Sequence, residues 1–286
     1  MRHKQIPKFI LSIQRDNMSP SFSPRILFYS SFIIAVLVSV ACTGGILVPG
    51  VYYKESVSWA TQGTGQDILT LGLAVPALLF SALYLGRSLR ALLVWLGVLL
   101  YLVYSYLLYA SYIHFGVMFP VYVAILGLSF YTLLAGIGRI DLGKLPRSFV
   151  GVKTMPVAVF LFLFAFLFAG LWITDIAHSI LSGITPESVM QAELPVNPVH
   201  VLDLSFLLPG MLFTAVLLSK RKPLGFLFGA PMLTFSILMG AAIISMQYLL
   251  ESRRISEPSP VGTIMGVIVL ISLYLLYYLL KDVEEP

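Results

Sequence analysis

The chain has 286 residues, of which 58% are hydrophobic and 11% are charged, and its formal net charge is +5. So apolar a composition excludes an ordinary soluble domain. A single cysteine, Cys42, excludes an internal disulfide and a zinc site built on cysteines. No polar segment long enough to fold combines a basic face with interleaved aromatic residues, so nothing indicates nucleic-acid binding.

Apolar runs long enough to cross a lipid bilayer recur along the chain. They predict an all-α membrane protein with eight transmembrane helices, at residues 26–48, 67–86, 91–112, 117–138, 156–180, 201–219, 225–249 and 262–280. The remaining segments are predicted to be a disordered basic tail at 1–25, a linker at 139–155 and a short tail at 281–286.

The distribution of basic residues predicts the orientation of these helices. With the N-terminus inside, most Lys and Arg residues fall in cytoplasmic segments, and only Lys54, Arg253 and Arg254 fall outside. Acidic residues lean toward the opposite face. Both termini are therefore predicted to be cytoplasmic. The third helix is followed by a short turn at 114–120 that contains His114.

The two halves of the chain resemble one another when the sequence is shifted by 133 residues. Pro76–Ala82 then overlies Pro209–Ala215, and Arg87 overlies Lys220. Four crossings return a chain to its starting side, so this predicts two parallel four-helix repeats, at 26–138 and 156–280. The same shift places Asp67 on His200 and Thr70 on Asp203.

The most informative polar residues form two pairs, Asp175 with His178 and His200 with Asp203. Each pair has i,i+3 spacing, so each places a carboxylate and an imidazole on one helix face. The first pair ends the fifth helix and the second begins the sixth, so the pairs can face each other at the outer membrane boundary. Carboxylate and imidazole ligands on facing helices would suit Zn, Mn or Fe. Alternatively, Asp203 caps its helix and the histidines bind only water or loop carbonyls.

Other polar groups map to the same outer side. Asp67 is predicted to cap the second helix, or to add a third carboxylate to the site. The third helix carries a face of tyrosines that is predicted to pack between helices or to line a cavity; its members are Tyr101, Tyr104, Tyr109 and Tyr112. Tyr52, Tyr112 and Trp172 are interpreted as part of an aromatic belt near the outer boundary.

Three stretches of the sequence resemble stretches of other membrane proteins. They are Gly65-Gln66-Asp67 before a Pro-containing helix, Tyr109-Ala110-Ser111-Tyr112, and His200-Val201-Leu202-Asp203 before Leu208-Pro209. Together they resemble a group of prokaryotic multi-spanning membrane proteins with no established activity. The resemblance implies a prokaryotic plasma membrane and a multi-pass architecture, and it implies no chemistry.

Three functions remain open from the sequence. The first is transport or binding of a small ligand or cation at an outward-facing acid- and His-lined site. The second is metal-dependent hydrolysis of a lipid-like substrate within the membrane. The third is an accessory subunit whose polar residues contact a protein partner. An ionisable residue inside a membrane segment is costly, and it indicates a functional site by default.

Overall fold

The computed structural model of the chain describes residues 23–285, and within this range it contains helices and no strand. Eight helices are long and apolar enough to span a membrane, which confirms the predicted multi-spanning all-α architecture. They are α1 Pro24–Leu47, α2 Val57–Leu83, α3 Leu89–Tyr112, α4 Phe119–Ile137, α5 Met155–Ser182, α6 Pro198–Ser219, α7 Pro223–Ser252 and α8 Val261–Leu280. The predicted tail at 1–25 lies outside the described residues except for its last three.

Helices α1, α3, α5 and α7 end at one face of the bundle, which is called the distal face here and corresponds to the predicted outer side. The opposite face is called the proximal face. A short helix, Glu187–Ala192, lies in the distal loop between α5 and α6. A single 3₁₀ turn, Leu145–Phe149, lies in the proximal linker between α4 and α5.

Helix α2 begins ten residues earlier than predicted, at Val57 instead of residue 67. Its N-cap is Ser56, whose hydroxyl accepts a hydrogen bond from the amide of Trp59 at 3.2 Å. The prediction that Asp67 caps this helix is therefore wrong. The stretch at 58–65 resembles a loop in composition, but its small residues allow α2 to pack closely against α7, and this packing outweighs weak helix propensity.

Helices α3 and α7 occupy the centre of the bundle and are the most buried of the eight, whereas α5 is the least buried. The two central helices approach each other closely at Gly97. A Cβ atom there would lie 2.5 Å from the Cβ of Thr234 and 2.8 Å from the carbonyl oxygen of Pro231. Helix α7 also packs against α2, α6 and α8. One face of α3, with its tyrosines, is thereby held inside the bundle.

Helices α2 and α6 each contain one π-helical segment, Thr70–Ala74 and Asp203–Leu207. In each, the amide of the following residue donates to the carbonyl of the first, from Val75 to Thr70 and from Leu208 to Asp203. A proline comes next in both helices. Because proline has no N–H and its ring clashes with the preceding turn, a wider turn relieves the strain.

Large apolar side chains cover the outside of the bundle. On α5, for example, Phe162, Phe166 and Leu171 are exposed. Two shallow grooves on α1, of about 400 and 570 Å³, are lined mainly by apolar residues of α1, α2 and α4. An apolar surface that surrounds the whole bundle fits contact with the lipid bilayer.

Candidate functional site

Two buried carboxylates lie on the distal side of the bundle, and tyrosines of α3 contact both. Asp67 of α2 is 1% exposed and Asp203 of α6 is 6% exposed. Asp203 is bonded to Tyr104, which lies eight residues before the end of α3, or about 12 Å along the helix axis. Asp203 thus lies deeper than the boundary position that the sequence suggested.

The first group of residues, called the Asp67 cluster, joins α1, α2, α3 and the loop after α1. The Tyr52 hydroxyl donates to Oδ2 of Asp67 at 2.6 Å. The Tyr109 hydroxyl lies 3.2 Å from Oδ1 of Asp67 and 3.1 Å from the carbonyl oxygen of Gly63. The Cys42 thiol, which is fully buried, lies 3.8 Å from the Tyr106 hydroxyl.

Tyr52 reaches Asp67 because two glycines leave room for its ring. A Cβ atom on Gly45 of α1 would lie 2.8 Å from the Tyr52 hydroxyl and would also collide with the Asp67 carboxylate. A Cβ atom on Gly63 of α2 would lie 3.1 Å from the Tyr52 ring. The ring therefore fills a slot between α1 and α2 and covers Asp67 on its distal side.

The second group, called the Asp203 cluster, joins α3, α5 and α6. Tyr104 donates to Oδ1 of Asp203 at 2.7 Å, and the indole N–H of Trp172 donates to Oδ2 at 2.9 Å. The Trp172 ring lies 4.7 Å from the ring of His200, centroid to centroid. The Nε2 atom of His200 lies 3.7 Å from Oδ2 of Asp175.

The two clusters flank one stretch of α3. Thr70, which begins the π segment of α2, is hydrogen-bonded to the Tyr101 hydroxyl at 2.7 Å. Tyr101 and Tyr104 lie one helix turn apart, and both rings pack against Phe235 of α7, at 6.5 and 5.3 Å between centroids. Thr70 and Asp203, the first residues of the two π segments, therefore each form a hydrogen bond to a tyrosine of α3.

Neither buried carboxylate has a basic partner. Within residues 23–285, no Lys, Arg or His side chain forms an ion pair with Asp67 or Asp203. Their hydrogen-bond donors are neutral phenols and an indole. A negative charge at either carboxylate would thus be stabilised by hydrogen bonds, and no cationic side chain of residues 23–285 pairs with it.

The structure brings together some of the residues singled out in the sequence and separates others. Asp175 and His200 are paired, and Trp172 connects them to Asp203. Asp67 and Tyr109 belong to the other cluster. His178 is exposed and Tyr112 is half-buried, and among the described residues neither forms a hydrogen bond or ion pair to a cluster.

His114 belongs to a separate contact at the distal surface. Its Nδ1 atom lies 3.0 Å from Glu55, and its amide donates to the same carboxylate at 2.8 Å. This contact joins the loop after α1 to the loop after α3. His114 therefore stabilises the distal loops in this structure and does not reach either buried carboxylate.

The predicted four-ligand metal centre is not assembled. Across residues 23–285, no group of three or more His, Cys, Asp and Glu side chains is arranged to hold a metal ion. The oxygens of Asp203 face Tyr104 and Trp172, and the side chain of His178 is turned to the surface. Asp175 contacts His200, whereas His178, one turn further along α5, is exposed, so the i,i+3 spacing on α5 does not bring both residues to one site.

Three residues of the clusters were interpreted differently or passed over in the sequence. Tyr52 and Trp172 resembled members of an aromatic belt, and the sequence assigned Cys42 no role in a polar cluster. The sequence does not distinguish an aromatic residue that faces lipid from one that turns into the bundle, because both lie at the end of a membrane segment. The paired glycines, Gly45 and Gly63, are the signal that could have indicated a slot for Tyr52.

No protein-family model matches the sequence, and the searches of curated proteins and of solved structures found no similar protein. The resemblance noted in the sequence is therefore supported only as far as the multi-spanning helical architecture.

Proposed function

We propose that this polytopic protein lies in a prokaryotic plasma membrane with both termini cytoplasmic, and that it binds a small cation or small cationic ligand from the external side. It would act as a transporter or as the binding component of one. The observation that carries the proposal is the Asp203 carboxylate, which is buried in α6 and, among the described residues, accepts hydrogen bonds only from the neutral donors Tyr104 and Trp172.

The Asp203 cluster has the chemistry of a cation site. A carboxylate buried in a medium of low dielectric is costly, and a bound cation offsets this cost. Each Asp203 oxygen accepts one hydrogen bond, from Tyr104 or Trp172, so both oxygens keep a lone pair for a cation. The Asp175 side chain is 43% exposed and contacts His200, so the cluster extends from the buried carboxylate to the distal surface.

A duplicated architecture supports the transporter interpretation. We infer two parallel four-helix repeats, because residue 70 plus the 133-residue shift gives residue 203, and each begins a π segment followed by Val or Leu and then Pro. Transporters often place their binding sites where helices of two repeats are interrupted. Irregular turns in membrane helices are also frequent at functional sites.

The proposed orientation rests on the basic residues. Arg90, Lys144, Arg221 and Lys281 belong to segments at the proximal face, in agreement with the positive-inside rule. The distal ends and loops, in contrast, carry more acidic than basic residues: Glu55, Glu187, Glu193, Glu251 and Glu257 against Lys54, Arg253 and Arg254. An external cation would therefore meet an acidic face before it reaches Asp175.

The proposal is tested by cation binding to protein reconstituted in lipid nanodiscs. Na⁺, K⁺ and tetramethylammonium are titrated by calorimetry into wild type, Asp203→Asn and Asp175→Asn. We expect at least one cation to bind wild type, and its affinity to fall in Asp203→Asn by about tenfold or more, because one buried charged contact is worth about 1.5–3 kcal/mol. Asp141→Asn, in a proximal loop, is the matched control and keeps wild-type affinity.

Absence of binding by folded wild-type protein, or equal affinity in wild type and Asp203→Asn, would contradict the proposal. Uptake of the bound cation into sealed vesicles then separates the two forms of the function. Accumulation that Asp203→Asn abolishes indicates a transporter, whereas binding without uptake indicates a binding component.

A further inference from the structure

We propose that Asp67 is a proton-binding site inside the helix bundle, at which the Tyr109 hydroxyl changes its hydrogen-bond acceptor as the carboxyl gains and loses a proton. This site is separate from the cation site proposed at Asp203. It rests on a different set of contacts and holds or fails on its own.

The hydrogen bonds around Asp67 can be satisfied in two protonation states. In the ionised state, Tyr52 donates to Oδ2 and Tyr109 donates to Oδ1, so each oxygen receives one donor. In the neutral state, a proton on Oδ1 is donated to the Tyr109 oxygen. The Tyr109 hydroxyl then donates to the Gly63 carbonyl, which lies 3.1 Å away, and the bond from Tyr52 remains.

Only one covalent bond of the protein changes in this step. A hydronium ion of the distal solution gives up a proton and becomes water, and the proton forms the O–H bond at Oδ1 and neutralises the carboxylate. The Tyr109 proton stays on its own oxygen and turns from Oδ1 to the Gly63 carbonyl. Because no buried polar group loses its partner in either state, the protein can carry the proton without a large structural change.

The groups that face Asp67 are polar but carry no positive charge. They come from four elements: Tyr52 from the loop after α1, Cys42 from α1, Tyr106 and Tyr109 from α3, and Tyr122 from α4. The basic residues nearby in the fold are engaged elsewhere. Lys54 donates to the carbonyl of Phe115, and Arg253, which follows α7, donates to Thr61.

This environment favours a proton over a metal ion. Asp67 is 1% exposed and the Tyr52 ring covers its carboxylate, so an ion has no open side from which to reach it, whereas a proton needs only one oxygen lone pair. A metal ion needs several oxygen or nitrogen ligands, and no such group of acidic, His or Cys side chains exists in the part of the chain that the structure describes.

Tyr52 controls access to the site. Its ring fills the slot between Gly45 and Gly63 and is 7% exposed, so it separates Asp67 from the distal solution. Loss of this ring would open a path for water to the carboxyl. The neighbouring residue Tyr53 is 70% exposed and provides a matched control at the same loop.

Infrared difference spectroscopy of the full chain in lipid tests the site directly. Between samples of wild type at about pH 6 and about pH 9, a range in which exposed carboxyls stay ionised, we expect a carbonyl band of a protonated carboxyl together with a shifted tyrosine C–O band. The carbonyl band disappears in Asp67→Asn and persists in Asp203→Asn. The tyrosine band disappears in Tyr109→Phe and persists in Tyr106→Phe, although both tyrosines are buried and adjacent.

The rate at which the carbonyl band shifts in D₂O tests whether the Tyr52 ring limits the access of water to Asp67. We expect Tyr52→Ala to raise this rate by about tenfold or more, because local opening controls exchange at buried groups, and Tyr53→Ala to leave it unchanged. A carbonyl band that survives in folded Asp67→Asn, or no band at all in folded wild type, would overturn the proposal. If wild type shows the carbonyl band but binds no cation by calorimetry, the function proposed at Asp203 is rejected and the proton site at Asp67 stands.

Discussion

Each oxygen of Asp67 and of Asp203 receives one hydrogen bond from a neutral donor. Tyr52 and Tyr109 donate hydrogen bonds to Asp67, and Tyr104 and Trp172 donate hydrogen bonds to Asp203. Asp141, in the proximal loop, is held differently, because the Gly143 amide and Lys144 lower the pKa of its carboxyl. Asp141 thus has a positive partner, while Asp67 and Asp203 have donors without charge.

At the residue scale, the Tyr104 hydroxyl is expected to be necessary for holding Asp203. Tyr104→Phe keeps the ring against Phe235 and removes the donor to Oδ1. A buried carboxylate that loses a donor is destabilised by about 1–3 kcal/mol, so the melting temperature measured by circular dichroism should fall. Tyr112→Phe, on the same helix and half-buried, should have the melting temperature of wild type. An equal fall in melting temperature in both variants would refute the role of Tyr104.

At the scale of elements, the close approach of α2 and α7 decides where Asp67 lies. A Cβ atom on Gly65 would lie 2.6 Å from the Cα of Met246 and 2.8 Å from its backbone nitrogen. The Ser245 hydroxyl donates to the Gly65 carbonyl at 2.7 Å across the same contact. Small residues at such crossings let membrane helices pack backbone to backbone.

We therefore expect Gly65→Ala to separate α2 from α7 and to displace Asp67. The clash involves backbone atoms, which cannot move aside as a flexible side chain can, so a loss of about 1–3 kcal/mol or more is expected. The measurement is thermal unfolding in detergent. Gly72→Ala is the control on the same helix, since a Cβ atom there meets nothing within 4 Å; a fall in stability for Gly72→Ala alone would be incompatible with this packing.

At the scale of the whole molecule, the last described residues connect three elements of the proximal face. Glu285 accepts hydrogen bonds from Ser88 at 2.8 Å and from the Leu89 amide at 2.5 Å, at the start of α3. The amide of Glu284 donates to the carbonyl of Ser148, and Val283 is buried. A carboxylate at a helix N-terminus is favoured by its free amides and by the helix dipole.

Glu285→Ala should therefore lower stability by about 1 kcal/mol, as a reduced melting temperature. Glu284→Ala serves as the control, because the contact at that residue is made by its backbone amide. If both variants lose the same stability, the Glu285 side chain has no specific role in attaching the tail.

The proposed orientation of the whole molecule can be measured with single cysteines. Cys42 is fully buried and should not react, so it need not be removed. We expect Glu257→Cys, in a distal loop, to react with a membrane-impermeant maleimide on intact cells. Gly143→Cys, in the proximal linker, should react only after the membrane is permeabilised, and the reverse pattern would contradict cytoplasmic termini.

The eight helices could be predicted from the sequence alone, because a membrane span requires a long apolar run and such runs are local. The tyrosine face of α3 followed in the same way from the period of one helix. The start of α2 could not be predicted, since residues 58–65 are, apart from Trp59, small or polar and become helical through contact with α7. Local composition gives no information on a contact between residues 180 positions apart, such as Gly65 and Ser245.

The sequence by itself determined that Asp67, Asp175, His200 and Asp203 lie on the same side of the bundle, because helix direction alternates with each crossing. Only the tertiary structure decided that they form two clusters, with Asp67 under Tyr52 and Asp203 between Tyr104 and Trp172. It also turned His178 to the surface. Helix rotation and depth depend on how side chains of several helices fit together, and no single helix contains that information.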